Sequence, residues 1–136
     1  MDRELPRPRG VRSRIVTPGV GFMSRRLIAV DTVRALLGNA TGAGTEVVEG
    51  DPSASAVELA QIGGVEVGLW EMTPGAVRDV EAEELFLVLE GRGRVEFEDG
   101  EVIDLEAGAV VRLHAGDRTI WTVYEPLRKL YISPLG

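Results

Sequence analysis

Cysteine is absent from this 136-residue chain, and histidine occurs once, as His114. The first absence excludes disulfide scaffolds, thiolate zinc sites, iron–sulfur clusters and cysteine nucleophiles, and the second excludes any centre that needs two imidazoles from one chain. No apolar run approaches the ~18 residues of a membrane helix, and the N-terminal region lacks the hydrophobic stretch of a signal peptide. The expectation is a soluble, cytoplasmic protein with no membrane partner. What is present suits folding: 44% apolar and 27% charged residues, with 17 glycines and 7 prolines, fall outside the composition of disordered chains. The length favours one domain with a real core.

Charge is unevenly spread. Residues 1–22 hold five arginines (Arg3, Arg7, Arg9, Arg12, Arg14) against Asp2 and Glu4, whereas the remainder carries ten basic and twenty acidic residues. An acidic body cannot displace the counterions of a nucleic acid, so no nucleic-acid partner is expected. The basic head, with Pro6, Pro8 and Pro18, reads as a flexible leader over residues 1–22, and Met23 is a second possible start.

Residues 23–44 read as a short helix and linker. Asp31 stands at an N-cap position, Val33, Leu36 and Leu37 make a brief apolar stripe, and Gly38-Asn39 supplies a stop. Residues 40–54 read as loop, with Glu46, Val47 and Val48 as an edge strand. Eight strands then follow, near Val57–Gln61, Val65–Met72, Leu85–Leu89, Arg94–Glu98, Glu101–Leu105, Val110–Leu113, Thr119–Val123 and Arg128–Ile132. Asp99-Gly100 between two alternating segments predicts a two-residue hairpin, Gly91 and Gly93 punctuate another, and Gly108 and Gly116-Asp117 mark further turns. Short strands separated by glycine turns, with no helices between them, predict an all-β sandwich or barrel.

Five motifs in order, Gly68-Leu69-Trp70-Glu71-Met72-Thr73-Pro74-Gly75, Glu83 through Arg92, Gly108 through Gly116, Ile120-Trp121 and Arg128 through Ile132, resemble the RmlC-like cupin superfamily. Within it the chain looks like the single-domain cupins related to ureidoglycine aminohydrolase and the ethanolamine-utilisation cupins. The resemblance implies a cupin jelly-roll β-barrel over residues 45–134 and a homodimer. It also implies a metal centre in most members, and here the sequence departs. Glu84, with six residues between it and Gly91, occupies the family's glutamate position, but the two upstream histidine positions fall on Arg78 and Val80, or on Val77 and Asp79. Thr119 stands where the third histidine belongs, and His114 replaces a proline. One glutamate and one threonine are not a transition-metal donor set, and Asp79 adds at most an oxygen ligand for a weakly held magnesium or manganese. No metal and no cofactor are expected.

In a cupin barrel, strand alternation that turns Glu84 inward also turns Phe86 inward, and Thr119 carries Trp121 with it. Trp70, and Lys129 with Tyr131 on the last strand, join the same cavity. The expected site is Glu84, Lys129 and Tyr131 for acid–base chemistry, with Trp70, Trp121, Phe86, Arg112 and Thr119 binding a small-molecule substrate. Arg112 is chosen as a bidentate partner for a substrate carboxylate. Asp79, Glu81 and Glu83 read mostly as a solvated loop face, and His114 as a rim residue. The functional expectation is a metal-independent isomerase, lyase or hydrolase. A non-catalytic ligand-sensing or structural cupin is the first alternative, with Glu84 and Lys129 as a buried structural ion pair, and a metal-dependent cupin enzyme the second.

Overall fold

The computed structural model describes residues 25–38, the backbone of 41–42, and 46–136. The basic leader at 1–22 and the alternative start at Met23 lie outside the described residues. The chain divides into two compact units, Met1–Leu36 and Leu37–Gly136. In the first, the helix expected from Asp31 is a single turn. Asp31 does cap it, its Oδ1 accepting the N–H groups of Val33 at 3.0 Å and Arg34 at 3.2 Å, and the Ala35 N–H reaches the Asp31 carbonyl at 2.9 Å. Gly38, at φ +92°, follows within one further turn, too soon for propagation to repay nucleation. Among the described residues there is no helix long and apolar enough to cross a membrane.

The second unit is all-β: β1 Thr41–Gly42, β2 Glu46–Glu49, β3 Ser53–Ile62, β4 Val65–Met72, β5 Gly75–Val80, β6 Glu84–Phe97, β7 Val102–Glu106, β8 Val110–Leu113 and β9 Arg118–Pro134. All pairings are antiparallel. Two long strands organise them. The C-terminal half of β9 pairs β4 and the first half of β6, while its N-terminal half pairs β5 and the second half of β6. The strands therefore form two halves of a jelly roll, β1-β3-β4-β9-β6-β8 and β2-β5-β9-β6-β7, hydrogen-bonded through the two strands they share.

Gly91 and Gly93 lie inside β6, where they bend one strand; they do not separate two in a hairpin. A Cβ on Gly91, whose φ is +97°, would sit 2.0 Å from the Pro126 carbonyl oxygen, and one on Gly93 would sit 2.6 Å from that of Thr122. The ladder shifts register at this point, and β9 turns beside it at Tyr124-Glu125-Pro126, where proline lacks an N–H to donate. The Asp99-Gly100 hairpin is present with a three-residue loop, Glu98 to Gly100. The Phe97 N–H closes on the Glu101 carbonyl at 2.8 Å, and Gly100 takes a φ of +101°.

Strand β5 falls in a stretch expected to be loop. Its Ala76 and Val77 are buried while Arg78 is exposed, and it pairs with both β2 and β9. The core between the two halves contains Met72, Val77, Phe86, Val88, Val95, Leu105, Val111, Leu113, Trp121, Val123 and Leu127. Burying such side chains contributes roughly 1.5–3 kcal/mol each, enough to fix which face of each strand turns inward.

Candidate functional site

One mouth of the barrel opens into a cavity of about 290 Å³ lined by Ala54, Ala56, Trp70, Val77, Asp79, Glu81, Glu84, Trp121, Lys129 and Tyr131. Register explains the company. Trp70 faces Lys129 across the β4–β9 ladder, Val77 faces Trp121 across β5–β9, and Phe86 faces Tyr131 across β6–β9.

Lys129 is the buried cation of this site, 5% exposed. Its Nζ donates to Glu84 Oε2 at 2.6 Å. It also lies 4.7, 4.4 and 4.8 Å from the ring centroids of Trp70, Phe86 and Trp121. Trp121 packs in tilted contact with Trp70 at 5.8 Å and Phe86 at 5.6 Å. Each ring face stabilises the ammonium electrostatically, so one carboxylate and three quadrupoles replace its water shell.

Glu81 is the residue that sequence reasoning missed. Its Oε2 accepts from Thr119 Oγ1 at 2.6 Å and Trp121 Nε1 at 2.7 Å. Its backbone is clasped by the turn after β8: the Glu81 N–H donates to the Asp117 carbonyl, and the Glu81 carbonyl accepts from the Gly116 N–H, both at 2.8 Å. Burial pushes the Glu81 carboxyl above the ordinary glutamate value, and Asp79 beside it pushes the same way. The two hydrogen bonds and Lys129 oppose that rise without cancelling it. The available signal was alternation, since a strand through Val77 and Asp79 delivers Glu81 to the same face.

Tyr131 reaches the cavity because Gly68 makes room; a Cβ there would lie 2.4 Å from the phenol ring. Its hydroxyl donates to Glu66 Oε2 at 2.5 Å. Burial, then that hydrogen bond and the Glu66 charge, hold the phenol protonated above its ordinary value. Thr119 is buried with its hydroxyl committed to Glu81, and Phe86 is buried beneath Lys129 as part of the core.

Arg112 is not brought to this cavity. It projects from the outer face of β8, bonding Glu83 and the Leu113 carbonyl. Glu83 in turn accepts the Ala115 N–H at 2.8 Å, so this carboxylate secures the rim. His114 is exposed on that turn, its N–H bonded to Asp117 Oδ2 at 2.9 Å.

Glu84 and Thr119, the positions that correspond to metal ligands, are turned to other partners: an ammonium for one, a carboxylate for the other. Among the described residues no three His, Cys, Asp or Glu side chains are grouped to hold a metal ion. The donor set does not fit a transition-metal centre.

Comparison with known proteins places this geometry in a family. The model of the EutQ-like cupin domain matches residues 59–131, more than half of the chain. The chain belongs to the EutQ-like cupin domain family. No curated protein matches this cupin in sequence. Among solved structures, it is similar to a candidate ethanolamine utilization protein Q from Salmonella typhimurium LT2, with 21% identity, a TM-score of 0.54, and coverage of 60% of this chain and 69% of that one. It is also similar to the EutQ protein of Clostridium difficile, with 15% identity, a TM-score of 0.55, and coverage of 62% and 69%. A structure from work on DMSP lyases aligns at 19% identity and a TM-score of 0.51 over 58% of this chain and 46% of that one. These likenesses establish the fold.

Proposed function

We propose that the cavity is a small-molecule site and that Glu81 is its proton carrier, serving a metal-independent reaction of the isomerase, lyase or hydrolase kind. The observation that carries this reading is the Glu81 carboxyl, raised by burial, held by Thr119 and Trp121, and facing a cavity large enough for a ligand. A carboxyl raised above its ordinary value can take or give a proton closer to working pH than a solvated one. The Tyr131 hydroxyl on the same wall gives its one proton to Glu66, which leaves its oxygen to accept a hydrogen bond from a ligand.

Glu84 and Lys129, by contrast, neutralise each other, and their role here is to hold the wall that carries Trp70 and Trp121. The structure from work on DMSP lyases puts lyase chemistry on a similar fold, in keeping with this reaction class. The firm Glu84–Lys129 pairing favours a second reading, a ligand-sensing cupin without turnover.

A mixed library of small metabolites, followed by NMR for both binding and conversion, tests the proposal. The expected result is a compound converted by the wild-type chain after dialysis against chelator, and bound but unconverted by Glu81→Gln. Conversion by Glu81→Gln at the wild-type rate, or conversion that needs added metal, contradicts the proposal. Binding with no conversion of any compound selects the sensor reading.

A further inference from the structure

The lining of the Glu81 cavity is unbalanced in charge. Its titratable members are Asp79, Glu81, Glu84, Lys129 and Tyr131, and the single cation among them is already matched by Glu84. That leaves Asp79 and Glu81 facing the space. Asp79 uses Oδ1 on the Val80 N–H at 2.8 Å, and Glu81 takes both of its side-chain hydrogen bonds on Oε2. An anionic ligand would meet two carboxylates here with no uncommitted lining cation to offset them. A cation would gain from both.

A second observation points the same way. The cavity already holds an alkylammonium, the side chain of Lys129, bound by one carboxylate and the faces of Trp70, Phe86 and Trp121. Its walls therefore have the chemistry that recognises such a group, a carboxylate for the charge and aromatic surface for the carbons. Asp79 and Glu81 repeat the charged half of that arrangement, and Trp70, Ala56 and Val77 offer apolar surface beside it.

We propose that the ligand of this cavity is a small protonated amine, its ammonium seated between Asp79 and Glu81 and its carbon chain against Trp70. This inference rests on the reading of the cavity as a small-molecule site. It assigns Asp79 as a specificity-determining residue, selecting for positive charge.

The test uses the full chain and three probes of similar length, butylamine, 1-butanol and pentanoate. Binding is read from the indole N–H signals of the chain's two tryptophans, Trp70 and Trp121. Butylammonium is expected to shift these signals and to bind about ten-fold or more tightly than butanol, with pentanoate weakest. Asp79→Asn should remove most of the amine's advantage and leave butanol unchanged, and Glu81→Gln is the second variant should Asp79→Asn fail to fold. Butanol or pentanoate binding as tightly as the amine, or an amine preference untouched by both variants, overturns the amine class and leaves the small-molecule reading standing. No indole response to any of the three overturns both.

Discussion

Glu84 and Lys129 hold each other where neither could be buried alone. Lys129 is 5% exposed, so removing Glu84 leaves a buried ammonium without its hydrogen-bonded carboxylate, supported by aromatic faces and by the charge of Glu81. Glu84→Gln should destabilise the fold by about 3 kcal/mol, as breaking one side of a buried pair does. The double variant Glu84→Gln with Lys129→Met should recover most of that loss, because no charge then remains to desolvate. Urea unfolding of both variants measures this, and a double variant no more stable than Glu84→Gln would show that Lys129 contributes through something other than its charge. The sequence made Trp70, Phe86, Trp121, Lys129 and Tyr131 legible as one group through strand alternation together with the cupin resemblance, which supported the choice of Lys129 and Tyr131 on the last strand. It hid the distinction between Glu84 and Glu81, since which carboxylate meets the ammonium depends on the turn at residues 114–117 that clasps Glu81. Arg112 was chosen as a partner for a substrate carboxylate, but it lies on the outer face of β8, where Glu83 on the rim takes that place.

At the level of elements, β6 and β9 carry the architecture by passing through both halves of the barrel. The bend in β6 depends on glycine at 91, where φ is positive and the Pro126 carbonyl fills the space a side chain would need. Gly91→Ala should cost about 3 kcal/mol or more, whereas Gly100→Ala, also at positive φ but with nothing within 4 Å, should cost about 1 kcal/mol. Chemical denaturation of the two side by side checks this, and equal costs would mean that φ alone, without the close approach, sets the penalty. Local pattern revealed most strand positions but read these glycines as a hairpin, since a kink within a strand and a turn between strands look alike until the partner strand is known. Strand β5 was obscured by its acidic neighbours, and its burial departs from strict alternation, with Ala76 and Val77 both buried.

For the whole molecule, the shifted carboxyls give stability opposing dependences on pH. Glu83 is lowered, chiefly by the Ala115 N–H, so its stabilisation is present above the ordinary glutamate value of 4.5 and is lost as pH falls through its folded value. Glu81 is raised, so folding favours its protonated form; that contribution is full below 4.5 and is lost as pH rises through its folded value. Glu81→Gln, which keeps an acceptor for Thr119 and Trp121 without a charge, should therefore melt higher than wild type at neutral pH, and the difference should shrink below 4.5. Thermal unfolding across pH measures it, and a constant difference would make the carboxyl merely structural. The jelly roll itself was legible because many short alternating strands with glycine turns have few ways to close, whereas its chemistry rests on a few side chains that meet only when it does. Glu81 is proposed as the proton carrier of this cavity, and a carboxyl-carbon NMR titration of wild type against Glu81→Gln tests it. One glutamate titrating clearly above 4.5 in the wild type and missing from the variant is the predicted result. A raised titration that survives in Glu81→Gln, or none in the wild type, would contradict the claim.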